Sequence, residues 1–150
     1  MSNDDLYTVG VFEDVRSAER VLGALAERKF PSEILSVVAA DGPGVMELLQ
    51  KTFGADGDTL DVRAVGTLRL HGPLVKALQS AEDALVREGI AAAMPRVGFQ
   101  AHDGFIFETL TKRGGVLVAI RSESRAADAL ALLHAYGGGN AAIGAWTGRV

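Results

Sequence analysis

The chain of 150 residues contains no cysteine, which excludes disulfides, thiol nucleophiles, iron–sulfur ligation and zinc sites built on thiolates. Cysteine use is therefore silent about the redox compartment. A basic excess is also missing. Fifteen Lys plus Arg stand against 19 Asp plus Glu, a net charge of −4, which argues against nucleic acid as a partner because such binders concentrate positive charge where phosphates lie. No stretch approaches the ~20 apolar residues that span a bilayer. Met1 to Asp5 has neither the basic start nor the apolar core of a signal peptide. The expectation is a cytoplasmic protein without stable membrane insertion. With three histidines in all and no serine in a nucleophile elbow or recognisable carboxylate pair, no catalytic residue, metal or cofactor is predicted.

What is present is 48% hydrophobic residues against 23% charged, enough for one domain covering 1–150. Leu6 to Phe12 is β-branched and aromatic, as a buried strand requires. Asp14 or Ser17 then offers a helix cap, and Ala18, Val21, Leu22 and Leu25 form one apolar stripe. Pro31 stops that helix, and Ile34 to Ala40 reads as a second strand ending in the turn Asp41-Gly42-Pro43-Gly44. The grammar returns near the C-terminus. A shift of 108 positions carries the stripe onto Ala126, Ala129, Leu130 and Leu133, behind a strand containing Val116, Val118 and Ile120 and a cap at Ser122 or Ser124. Gly137 to Gly139 end this helix, and Ala141 to Thr147, with Trp146 as a core or subunit plug, is the last strand. Two pseudo-repeated strand-helix-strand units, 6–40 and 114–148, thus flank an insertion over 41–113.

Within the insertion, Val45 to Phe53 reads as a short helix. The alternation of Leu60, Val62, Ala64, Gly66, Leu68 and Leu70 with polar residues predicts one half-buried strand, bent at Gly66. Pro73 opens a helix with stripe Leu74, Leu78, Ala81 and Leu85, continuing to Arg87. Ala101 to Lys112 reads as another, burying Phe105, Ile106 and Leu110, with Phe107 as a further candidate for the buried side. The architecture predicted is α+β: a ferredoxin-like sandwich with helices on one sheet face and the other face partly wet at Arg63, Thr67 and Arg69.

The run Phe107, Glu108, Leu110, Lys112, Arg113, Gly114, Gly115, Val116, Leu117 and Val118, with Val9 to Phe12 and its following helix and with Gly66 to Leu74, resembles the bacterial heat-induced or general stress protein family, the YflT-like domain. The resemblance follows the family's order over most of the chain. It implies a stress association and a fold, and it carries over no site residue, because the family has no established catalytic residues. Many members carry an apolar Gly/Ala-rich centre suited to membrane contact; the centre here is a charged strand and a charged helix, so the resemblance does not imply membrane association.

Candidate sites are few. Gly137 to Asn140 ends a helix instead of opening one, the reverse of a dinucleotide loop, so it reads as a cap. Asp41 to Gly44 lacks the lysine and hydroxyl of a phosphate loop and reads as a turn. His102 and Asp103 point about 100° apart on a helix and do not converge on one metal, and His134 suits a helix C-terminus. Arg69 and His71 are the ligand candidates: they share the polar strand face beside the turn at Gly72, where a small anion or a partner carboxylate would meet cationic groups. The function expected is a non-enzymatic, stress-associated interaction or regulatory module that self-associates, with a dimer favoured and a protein partner open. The alternative is a small anionic-ligand binding domain or cofactor-free enzyme using Arg69 and His71, with His102 as an acid or base.

Overall fold

The computed structural model describes residues 6–80, 82–122 and 124–144. The chain begins with β1 (Tyr7–Phe12), buried along its whole length, and turns into α1 (Val15–Glu27). Asp14 starts this helix by accepting a hydrogen bond from the Ser17 backbone N–H at 2.9 Å. The helix stops at Glu27, before Pro31, because Lys29 enters the left-handed region (φ 69°) and the chain folds back with the Phe30 N–H on the Leu25 carbonyl. A 3-10 turn, Ser32–Ile34, leads to β2 (Leu35–Ala40). Next comes α2 (Pro43–Phe53), opened by Pro43 and closed by Gly54 at φ 72°.

The alternating run that follows is two strands, not one: β3 (Asp58–Val62) and β4 (Gly66–His71) form a hairpin. Its turn is made by Ala64 at φ 72° and Gly66 at φ 104°. Similarly, the helix expected over 73–87 divides into α3 (Pro73–Leu78) and α4 (Ala84–Glu88), because Glu82 and Asp83 adopt left-handed backbone that no helix continues through. Then come α5 (Ile90–Ala93), the 3-10 turn Met94–Val97, and α6 (Ala101–Lys112), at the bounds expected from sequence. Its inward side is Gly104, Phe107 and Thr111, whereas Phe105 is 63% exposed. A 5.4 Å edge-to-face contact with Phe99 fixes the Phe107 ring. The chain closes with β5 (Val116–Arg121), α7 (Ala126–Ala135) and β6 (Gly139–Ile143). Residues 145–147 of the expected last strand, Trp146 included, lie outside the described residues.

All six strands form one sheet in the order β3-β4-β2-β5-β1-β6, every neighbouring pair antiparallel. β5 lies between β1 and β2, the two strands that α1 connects. Likewise β1 lies between β5 and β6, which α7 connects. The two strand-helix-strand units therefore interlock. Arg125, just before α7, reaches back to the end of α1: its Nη2 donates to the Arg28 carbonyl at 2.7 Å and its guanidinium lies 3.7 Å over the Phe30 ring.

Both faces of the sheet are covered, which corrects the expectation of helices on one face only. Phe12, Val37, Val116, Val118 and Ile120 point into a core beneath α1, α2 and α7. Val9, Val11, Val38, Leu117 and Ala119, with Leu68 and Leu70 of the hairpin, point into a second core. Leu74, Leu78, Leu85, Ile90 and Phe107 of α3 to α6 close that second core. The reason is visible in β5, whose Val-Leu-Val-Ala-Ile run has no polar face to leave wet. Among the described residues, no helix is long and apolar enough to cross a membrane.

Candidate functional site

A grouping of charged residues lies at the end of the sheet where β4 and β5 finish and β2 and β3 begin. A cleft of about 410 Å³ opens there, lined among others by Leu35, Asp58, His71, Val75, Lys76 and Arg121. Gly72 makes the corner possible. Its φ is 120°, and a Cβ at this position would sit 2.4 Å from the Leu35 carbonyl oxygen, so only glycine lets β4 turn into α3 this close to β2. The first turn of α3 is then pinned by Ser36, a fully buried residue of β2 whose Oγ accepts from the Leu74 N–H at 3.0 Å. On the other wall the His71 ring lies against Phe53 at the end of α2, with centroids 4.4 Å apart.

The charges around the cleft are unevenly placed. Arg121 and His71 are half-buried, whereas Asp58, Glu33 and Lys76 are exposed. None of these five takes part in an ion pair among the described residues.

The sequence-level candidates part company here. His71 lines the cleft. Arg69, two residues earlier on the same face of β4, does not: its Nε donates to Asp41 Oδ1 at 2.7 Å and its Nη1 to the Asp56 carbonyl at 2.9 Å. Only 13% of its side chain is exposed. Arg69 thus fastens the turns on either side of α2 to the hairpin. His102 is exposed in the first turn of α6, in the helix layer covering the opposite sheet face from the His71 ring, and it does not line the cleft. His134 is exposed near the end of α7.

The two glycine turns are structural. Gly137 takes the left-handed cap at φ 88°, the Gly138 N–H donates to the Leu133 carbonyl at 2.7 Å, and Gly139 already belongs to β6. At Asp41 to Gly44 the carboxylate holds Arg69, an acidic presence at odds with an anion cradle. Of the remaining expected polar-face residues, Arg63 is exposed in the hairpin turn and Thr67 donates to Asp61 Oδ1 at 2.5 Å.

Lys76 and Arg121 were not singled out by sequence. Lys76 reads as the wet side of an amphipathic helix. Arg121 does carry a signal, being the charge that ends an otherwise apolar strand. Glu108 is likewise structural, accepting from the Ala91 N–H at 2.9 Å and so holding α5 to α6.

In comparisons with known proteins, no family model, no curated protein and no solved structure matched this chain.

Proposed function

We propose that the protein is a non-enzymatic, stress-associated interaction or regulatory module that works as a homodimer joined along β6. The observation carrying this reading is the contrast between the two edges of the sheet. β3 bears exposed Asp58 and Asp61, the kind of charge that keeps an edge from pairing with another copy. β6, Gly139 to Ile143, has no charged residue.

The helices bordering β6 support the same reading. The inward side of α7 is Ala126, Ala129, Leu132 and Leu133; Leu130 is half-buried outside that core, on the flank shared with Ala127, Ala131 and His134. On α6, Glu108 faces α5, and the other flank carries Asp103, Ile106 and Leu110. Leu110 overhangs β6, since a Cβ at Gly139 would lie 3.3 Å from its Cδ1. A two-fold axis beside β6 and normal to the sheet sets β6 antiparallel to its copy and α6 antiparallel to α6. Such an axis makes the contact isologous, the same edge and helix flank on both copies.

The interlocked order β2-β5-β1-β6 supports a ferredoxin-like reading of those four strands, with 6–40 and 114–148 as pseudo-repeats and the β3–β4 hairpin and α3 to α6 as additions. The likeness to general stress proteins rests on residues with structural work here: Phe107 is fully buried, and a Cβ at Gly115 would lie 2.6 Å from Val11 Cγ1. The test is sedimentation velocity over a concentration series. The wild type is expected to sediment as a dimer at micromolar concentration, and Ile106→Glu and Ala131→Glu as monomers with unchanged far-UV circular dichroism. A wild type that stays monomeric, or a dimer that survives both substitutions, refutes the reading.

A further inference from the structure

We infer that the cleft at the end of the sheet binds a small dicarboxylate. The cleft's basic side chains sit at the ends of two strands and on the helix that follows one of them. Arg121 closes β5, and His71 closes β4, five residues before Lys76 on α3. β2 runs between those two strands. Neighbouring strands are roughly 4.8 Å apart, so β4 and β5 lie about 10 Å apart across β2, and His71, level with Val118, is three residues short of Arg121 along the strands, a backbone separation of roughly 14 Å that the long Arg121 and Lys76 side chains can shorten.

Apolar side chains contribute to the lining between these cations. Leu35 of the intervening strand lines it, together with Pro73 and Val75 of α3. A ligand with a charge at each end and a hydrocarbon middle matches this pattern, with one carboxylate on the planar fork of Arg121 and the other on Lys76. Inorganic phosphate reaches only one of these cations and leaves the apolar lining unused.

The sign of the ligand follows from burial. The two acidic lining residues, Asp58 and Glu33, are exposed, while Arg121 and His71 are half-buried. A half-buried guanidinium without a carboxylate partner bears a desolvation cost that a bound carboxylate offsets. At about 410 Å³ the cleft falls within the range of small-molecule sites. It shares no lining residue with β6 or its bordering helices, so the inference stands or falls independently of the dimer.

The experiment is an amide NMR titration of the full chain at low ionic strength with acetate, succinate, glutarate, adipate and inorganic phosphate. One or more of the dicarboxylates is expected to shift the amides of His71, Lys76 and Arg121 saturably. Acetate and phosphate should bind at least about tenfold more weakly, and Arg121→Gln and Lys76→Gln should each weaken the best dicarboxylate by about tenfold, as loss of a charged hydrogen bond predicts. Lys112→Gln, on α6, should leave it unchanged. Lys76 is exposed, so its substitution tests the site without threatening the fold. Absence of saturable shifts at those amides overturns the inference, as does phosphate binding as tightly as the dicarboxylates, or an affinity indifferent to Lys76→Gln.

Discussion

Asp14 does its work at the scale of one residue. Its carboxylate accepts the Ser17 backbone N–H at the start of α1, and that bond, with a further one from the Ser17 side chain, holds its pKa below the ordinary aspartate value against a smaller opposing effect of desolvation. Arg20 and Arg16 add to the lowering through their charge. Because the folded value is depressed, the stabilisation is present above the ordinary carboxyl pKa and is lost as pH falls through the folded one. Urea unfolding of wild type and Asp14→Ala should therefore differ clearly near pH 7 and converge near about pH 2. A gap that stays constant over this range would show that the carboxylate's charge is not what caps the helix. The cap was legible from sequence because it is local, three residues from acceptor to donor. Ser36 was not, because the Leu74 N–H it receives lies 38 residues away and only the sheet brings the two together.

At the scale of the element, the β3–β4 hairpin explains how a correct pattern yields a wrong strand. Leu60 pairs with Leu68 and Val62 with Gly66, so the chain folds symmetrically about Ala64. Partners in this register have the same parity, so even-numbered residues stay on one face after the turn as before it. The period of two passes through the hairpin unbroken, and periodicity alone cannot distinguish it from one long strand. No Asn-Gly or Asp-Gly marks the turn; instead Ala64 accepts the left-handed conformation, φ 72°, with its side chain exposed. An L-residue there bears a steric cost that glycine avoids, only partly offset by the greater freedom of glycine in the unfolded chain. Ala64→Gly should therefore stabilise the protein by roughly 0.5–1 kcal/mol, the opposite of the usual sign for that substitution. Equilibrium unfolding in urea checks it, and an unchanged or lower stability would mean that the turn is not strained at Ala64. The ends of α6, by contrast, were legible because Gly114 and Gly115 punctuate its C-terminus in sequence.

At the scale of the whole molecule, one sheet serves two cores. β1, β2 and β5 send alternate side chains to opposite sides, Val118 and Ile120 to the core under α1, α2 and α7, Leu117 and Ala119 to the core under α3 to α6. Sequence showed the apolar strands but not the second layer. The helices that form it are short and interrupted, and what they cover is decided by chain segments far from them. The cleft was illegible for the same reason: Lys76 and Arg121 line one cleft only because β4 and β5 both pair with β2. This arrangement dictates how the protein unfolds. Leu133→Ala in the first core and Phe107→Ala in the second each remove a fully buried side chain and should cost roughly 2–5 kcal/mol. Neither layer can leave without exposing the other side's strands, so both substitutions should lower a single urea transition with unchanged slope. Amide exchange should report the same coupling, with either substitution speeding exchange in the most protected amides of both α1 and α6. If Phe107→Ala accelerates α6 while α1 keeps its full protection, the two layers are separate cooperative units, and the shared sheet is a boundary between them rather than the link.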